Sequence, residues 1–290
     1  MSNRWFEDRE WVLLEMRGED RVDFLTRLTT NILPSSESPL IHNFFLSVNA
    51  RIQAEFWVSA RSDHLALLTP EKQAESLRAC IDRYHFGEKI SLTQPAGKLF
   101  IVEGPDQETR QSATATFEPD PRHGGDCVWC FVSEERLEDF QSLLGEALEF
   151  EELERMRIQS GRLRFPVDYD DESLFVEVAQ QGDFSELKGC YPGQEIVARV
   201  LHRGRLNRHL RGFHSEQTVP TGWSLKVDGK EVAGVRSIVP DGQGGSIGYL
   251  MVRREYGEAG SSLVGVGFDG TECTLTVTPR AGEVLTGEEE

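Results

Sequence analysis

The stretch Lys188-Gly-Cys-Tyr-Pro-Gly-Gln-Glu195, continued by Ile-Val-Ala-Arg-Val-Leu-His-Arg203, decides how the rest of this chain is read. Its first eight residues combine a lysine, a cysteine, two glycines, a proline and two long polar side chains, a mixture that packing alone does not call for. The continuation has helical spacing. Ile196, Val197, Val200 and Leu201 share an apolar face, and Glu195, Arg199 and Arg203 stack at i, i+4 and i+8 on another. Pro192 and Gly193 therefore sit at the helix start, with Cys190 just ahead of it. Unpaired N–H groups at a helix N-terminus favour a thiolate, as does the nearby Lys188, while Glu195 opposes it. This predicts a solvent-reachable thiol with a somewhat lowered pKa. The plainer alternative is a structural cysteine in a tight turn.

Upstream, strands and helices alternate. Trp11–Met16 reads as a strand, and Gly18 opens a helical pattern through Val22, Phe24, Leu25 and Leu28. Phe44–Val48 and Ile52–Ser59 read as strands joined by a turn at Asn49-Ala-Arg51, and His64–Thr69 as another, stopped by Pro70. Glu71–Tyr84 reads as a helix and Lys89–Thr93 as a strand. After Pro95-Ala-Gly97 comes a smaller unit: strands Leu99–Glu103 and Cys127–Val132, helices near Asp106–Ser112 and Glu134–Leu144, and a loop over Glu118–Asp126. A helix over Glu151–Ser160 ends at Gly161. Beyond Leu206, six short strand signals are separated by Pro220-Thr-Gly, Asp228-Gly, Asp241-Gly and Asp269-Gly, the punctuation of a small antiparallel barrel. The expected fold class is α+β with a C-terminal small antiparallel β-barrel.

Composition narrows the function. The chain has 290 residues, with 31 Lys+Arg against 49 Asp+Glu, a formal net charge of -18. Such a balance argues against direct DNA binding as the main task. No apolar run approaches the ~18 residues of a membrane span, and Met1–Glu10 lacks the apolar core of a secretory leader. Five cysteines, an odd number thinly spread, do not make a disulfide framework, so a reducing, cytoplasmic setting is expected.

Lys188–Glu195 resembles the K-G-C-(F/Y)-x-G-Q-E signature of the YgfZ branch of folate-binding proteins, relatives of the glycine cleavage T-protein, and every fixed position matches. Gly18-Glu-Asp with Phe24-Leu25 and Thr29-Thr-Asn31, Val48-Asn-Ala-Arg51, Arg157-Ile with Gly161, and Arg203-Gly204 with Arg208 resemble further family segments in the same order, so the likeness runs over about residues 5–280. It implies three domains around a central channel: 1–96 with 150–203 as a discontinuous α+β folate-binding domain, 97–149 as a small α+β domain, and 204–290 as the barrel. It implies tetrahydrofolate, or a one-carbon derivative, as cofactor. It also implies support of iron–sulfur cluster assembly or repair, including for radical-SAM enzymes of tRNA modification. The partners would be folate and iron–sulfur proteins or their assembly machinery.

On this resemblance Cys190 is the functional thiol, with Lys188 and Arg199 tuning or orienting it. Gly189, Tyr191, Gly193, Gln194 and Glu195 shape its loop, and Trp11, Asn49, Arg51 and Arg203 contact folate. The alternative is a folate-dependent aminomethyl or methyl transferase of the T-protein type. The T-protein uses an Asp-Asp pair after its hairpin, where this chain has Ile52-Gln-Ala-Glu-Phe56, and an acid two residues after the helical Arg, where this chain has Gln159. The apparatus for classical turnover is therefore not evident. The hairpin also lacks the glycine that the family pattern has between Ala50 and Arg51, so a different turn is expected.

Three features carry two readings each. Cys127-Val-Trp-Cys130 lacks the second pair that a zinc site needs and reads as structural, with a redox role as the alternative. The run Arg199, His202, Arg203, Arg205, Arg208, His209, Arg211 is either a solvated helix end and linker or an anion subsite for a folate tail, an RNA or a protein. Trp11 is either core or a stacking surface for a pterin. Trp5, Trp57, Trp129 and Trp223 read as core or surface. No metal site is expected.

Overall fold

The structure is a computed structural model. It describes residues 3–33, 39–204 and 206–282, with Arg203 described by its backbone alone. The chain folds as two compact units, each assembled from two stretches of sequence: Met1–Phe150 with Gly182–Gln194, and Glu151–Gln181 with Glu195–Glu290. Arg205 of the basic run lies outside the described residues.

The first unit holds two five-stranded sheets. Its strands are β1 (Arg4–Asp8), β2 (Trp11–Arg17), β3 (Ile41–Leu46), β4 (Ile52–Ala60), β5 (His64–Pro70), β6 (Ser91–Thr93), β7 (Gly97–Glu103), β8 (Ala115–Phe117), β9 (Cys127–Ser133) and β10 (Glu146–Ala147). Its helices are α1 (Arg21–Leu28), α2 (Ala74–Tyr84), α3 (Gln107–Ser112) and α4 (Leu137–Ser142). One sheet runs β3-β4-β5-β2-β6, the other β10-β1-β7-β9-β8. The first buries Leu14, Met16, Phe45, Phe56, Val58 and Leu67 against Phe24 and Leu25 of α1 and Leu77 and Ile81 of α2. Burial of a side chain of this size contributes about 1.5–3 kcal/mol. Both helices are amphipathic, so these rows of apolar residues at helical spacing fix which face turns inward.

Several boundaries differ from the sequence reading. The helix expected from Gly18 begins at Arg21, because the Asp20 carbonyl takes its first helical bond, from Phe24 N–H, at 2.8 Å. The helices expected from Glu71 and Glu134 each begin with a 3₁₀ turn, Glu71–Gln73 and Glu134–Arg136, before turning α-helical. The polar Arg4–Asp8 segment is a strand, paired antiparallel with β7 along its whole length. At the hairpin Asn49-Ala-Arg51, Ala50 takes a positive φ of 56°. Its N–H donates to Ser47 O, and Ser47 N–H donates to Arg51 O.

The second unit carries α5 (Phe150–Gln159) and α7 (Gln194–Arg203), the first residue of each belonging to the first unit, with α6 (Phe175–Val178) and six strands. They are β11 (Arg208–Ser215), β12 (Ser224–Val227), β13 (Lys230–Pro240), β14 (Ser246–Arg253), β15 (Ser262–Val266) and β16 (Glu272–Thr278). The strands close into a barrel in the order β11-β14-β13-β12-β15-β16. Its interior is filled by Phe213, Trp223, Leu250, Val252, Leu275 and Val277. The β12–β13 turn is Asp228-Gly229, both at positive φ, the backbone that a two-residue hairpin demands.

One buried hub ties α5 to the barrel. Arg157 donates from Nε and Nη2 to Glu154, from Nη1 to Asp168 Oδ2 (2.8 Å) and Arg162 O (2.6 Å), and from Nη2 to Ser237 Oγ (2.9 Å). Ser237 in turn donates to Asp168, and Tyr249 Oη donates to Ile158 O at 2.9 Å.

Candidate functional site

The segment Gly182–Gln194 lies on the first unit, fastened beside the C-terminal end of α1. Ser185 N–H donates to Thr30 O (3.0 Å), Thr30 Oγ1 to Asp183 O (2.7 Å) and Asn31 Nδ2 to Gly182 O (2.6 Å). Lys188 is buried, and its ammonium donates to the carbonyls of Thr26 and Thr29, last-turn groups of α1 with no partner further along the helix. The same ammonium lies 4.9 Å from the ring centre of Tyr191. Burial pulls the Lys188 pKa down to about 8. Burial and then the charge of Glu186 push the Tyr191 phenol up to about 12. Lys188 is thus bound to α1, and Cys190, which is exposed, has no hydrogen bond or ion pair with Lys188 among the described residues.

Gly193 has φ +83°, and a Cβ there would stand 2.6 Å from Ser47 O and 3.1 Å from Ala50 Cα. Only glycine allows the loop to lie this close to the β3–β4 hairpin. Gln194 N–H donates to Tyr191 O at 3.2 Å, leading into α7. Gly189 and Asn49 are exposed and Arg51 is half-buried. On α7, Glu195 and Arg199 are both exposed and form no ion pair with each other among the described residues. Arg203 closes that helix.

Sequence reading missed His42. Its ring nitrogens contact Asp183 Oδ1 and Glu55 Oε1, each at 2.8 Å, and its ring stacks on Trp57 at 4.0 Å and 4°. Glu55 is the residue that stands nearest the T-protein's acid pair in sequence. Here its carboxylate is buried and engaged by His42, its N–H donates to Gln73 Oε1, and Ala54 beside it is fully buried. The only sequence signal was a histidine inside an apolar run, and the partner Asp183 is 141 residues away.

Trp11 is 6% exposed and meets Trp129 edge-on at 5.1 Å. The guanidinium of Arg122 sits 4.7 Å from the Trp11 ring and 3.8 Å from that of Trp129, and pairs with Asp8 at 2.6 Å. Asp120 holds His123 at 2.7 Å. Although burial opposes it, the charges of His123 and Arg122 draw the Asp120 carboxyl down to about 2. Beside Trp11 opens a cavity of about 190 Å³, walled by Glu7, Asp8, Lys98, Leu99 and Phe131. Sequence reading did not single out Asp8, Lys98 or Arg122.

In the second unit, Arg208, His209 and Arg211 of the basic run are engaged. Arg208 forms a two-pronged pair with Glu177, at 3.0 and 3.2 Å, and Arg211 Nε donates to His209 Nε2 at 3.2 Å. Burial, with Arg211 and Arg254 adding to it, lowers the His209 pKa to about 4, so this ring accepts as a neutral base. Arg199 and His202 are exposed. Cys127 and Cys130 are buried in β9, and burial pushes both thiols up to about 12. Among the described residues no group of three or more His, Cys, Asp or Glu is arranged to hold a metal ion, and no helix is long and apolar enough to cross a membrane.

No family model matches the chain. An Arabidopsis thaliana protein named "Putative transferase, chloroplastic" is 29% identical over 111 residues, 38% of this chain and 26% of that protein, so the match spans about a quarter of the relative's length. The tRNA-modifying protein YgfZ of Yersinia enterocolitica is 23% identical over 225 residues, 69% of this chain and 68% of that one. Among solved structures, the glycine cleavage system aminomethyltransferase T of Bartonella henselae matches with a TM-score of 0.74. That match covers 99% of this chain and 88% of the other at 14% identity, a likeness of fold.

Proposed function

This chain is a YgfZ homologue with the fold of a glycine cleavage T-protein, and on that premise we propose that it is a tetrahydrofolate-binding accessory protein for iron–sulfur cluster assembly or repair. Its clients would include enzymes of tRNA modification, and its working group would be the Cys190 thiol. The single observation that carries the reading is the build of the Gly182–Gln194 loop. Asp183 and Lys188 bind it to β3 and α1 and Gly193 lets it lie close to the β3–β4 hairpin, while the one cysteine within it stays exposed. A thiol displayed by so many buried anchors is suited to react with, or bind to, something that comes from solution.

The folate half of the reading draws on the cavity beside Trp11. Its size suits a bicyclic ring better than a whole folate. Trp11 and Phe131 offer aromatic walls, and the carboxylates of Glu7 and Asp8 offer acceptors for a ring edge rich in N–H groups. Tetrahydrofolate would supply a carrier for one-carbon units. The chain's part is to hold the ring and keep water from it, with Lys98 and Arg9 balancing the Glu7 charge. Asn49 and Arg51 of the same unit stay in the proposal as contacts to the remainder of the ligand.

The transferase alternative needs a carboxylate free to move a proton at the substrate. Glu55 is occupied by His42 and buried, which counts against that alternative. The test is complementation of a strain lacking the protein with Cys190→Ala. Loss of activity in cluster-dependent enzymes, with the variant present at normal levels, supports the proposal. Full activity refutes the role of the thiol.

A further inference from the structure

Both ring nitrogens of His42 face carboxylates, at 2.8 Å each. An ionised carboxylate only accepts, so with both groups ionised the two bonds place a proton on each nitrogen and the ring is an imidazolium. The anions come from different parts of the chain. Glu55 stands on β4, beside the strand β3 that carries His42, and Asp183 stands on the segment that leads to Cys190. The cation is buried and stacked face to face on Trp57, with Phe44 tilted against it at 4.5 Å.

We propose that His42 is the positioning residue of the Cys190 loop: as an imidazolium it ties Asp183, and with it the root of the loop, to the sheet, so that its protonation state governs how the thiol is presented. The significance of this rests on the reading of Cys190 as the working group. The clamp itself does not.

The charged and titratable groups around the ring fix the sign. Asp183 faces it from the loop and Glu55 from β4. The next cation along the loop, Lys188, is directed to the carbonyls of Thr26 and Thr29. Burial opposes charge on His42, the two carboxylates outweigh it, and the ring titrates above its ordinary 6.5. The clamp is therefore complete below pH 6.5 and is lost as pH rises through that raised value. Lys188 remains as the second anchor, so the loop loosens without the sheet unfolding.

The experiment tracks iodoacetamide modification of Cys190 by mass spectrometry across neutral and alkaline pH, beside ¹⁵N NMR of the His42 ring in the same full-length protein. The expected result is imidazolium ¹⁵N shifts at neutral pH. The Cys190 rate should also show a second step, apart from the thiol's own ionisation, that coincides with the His42 titration. His42→Gln and Asp183→Asn should both lack that step. In both, amide exchange at Thr30 and Ser185 should quicken by at least about tenfold, the lower end for loss of one charge-assisted hydrogen bond. A purely structural histidine would change exchange and leave the pH profile of the thiol as it was. Neutral-imidazole shifts in the wild-type protein, or variants whose profiles superimpose on the wild type, overturn the proposal. If neither variant folds, the wild-type titration and its coincidence with the Cys190 step decide alone. Normal client activity with Cys190→Ala would sink the functional reading and leave the clamp standing.

Discussion

Replacing Arg157 by Met should unfold the second unit's hub. The side chain is 3% exposed, and all five guanidinium N–H groups are used: two on Glu154, and one each on Asp168, Arg162 O and Ser237. The Asp168 and Glu154 charges push its pKa further up, against burial. Methionine fills much of the space and supplies none of the donors, so Asp168, itself 1% exposed, is left without its guanidinium partner. Removing one partner from a buried pair costs about 3–5 kcal/mol. For a chain region of this size that is a fall in Tm of roughly 10–15 °C. Arg157→Lys retains the charge but not the fork, and should fall between the two. Calorimetry at neutral pH, with urea unfolding as a second measure, tests this. A loss under about 1 kcal/mol for Arg157→Met would refute the reasoning, because it would mean that the network contributes no more than an exposed pair.

Other outcomes rest on the same geometry. A maleimide added to the native protein at pH 7.5 should label Cys190 alone; the other four thiols are buried, three with pKa values pushed to about 11 or 12, and a second fast site would contradict this. Lys188→Met strips the donors from Thr26 O and Thr29 O and should cost about 1–3 kcal/mol, with faster amide exchange in the last turn of α1; an unchanged Tm would count against the anchor. Asp120 has its folded pKa drawn from 3.8 to about 2, so it stabilises the fold above pH 3.8 and ceases to as pH falls through about 2. That is worth roughly 2 kcal/mol at neutral pH, and the gap in stability between wild type and Asp120→Asn should close over that acid window in an acid titration.

The fold was largely legible because it is written in local terms. The six barrel strands announce themselves by alternation and by turns such as Asp228-Gly229, and α1 and α2 by helical spacing. Arg4–Asp8 was not legible: charged residues flank its two aromatics with no alternation, and its place in the sheet comes from β7, more than ninety positions away. The site divides in the same way. The Cys190 loop could be found because glycine, proline and cysteine crowd into one short stretch. His42 could not, because its two carboxylates lie 13 and 141 residues distant and neither forms a pattern with it. Lys188 was expected to serve the thiol through nearness in sequence, whereas the open carbonyls at the end of α1 are the stronger attraction for a buried ammonium.

The central claim is that this protein binds a reduced folate. Isothermal titration of the purified full-length chain with tetrahydrofolate, read together with tryptophan fluorescence, tests it most directly. The account predicts saturable binding of one ligand per chain with quenching of tryptophan emission. Absence of both heat and quenching at millimolar ligand would contradict it.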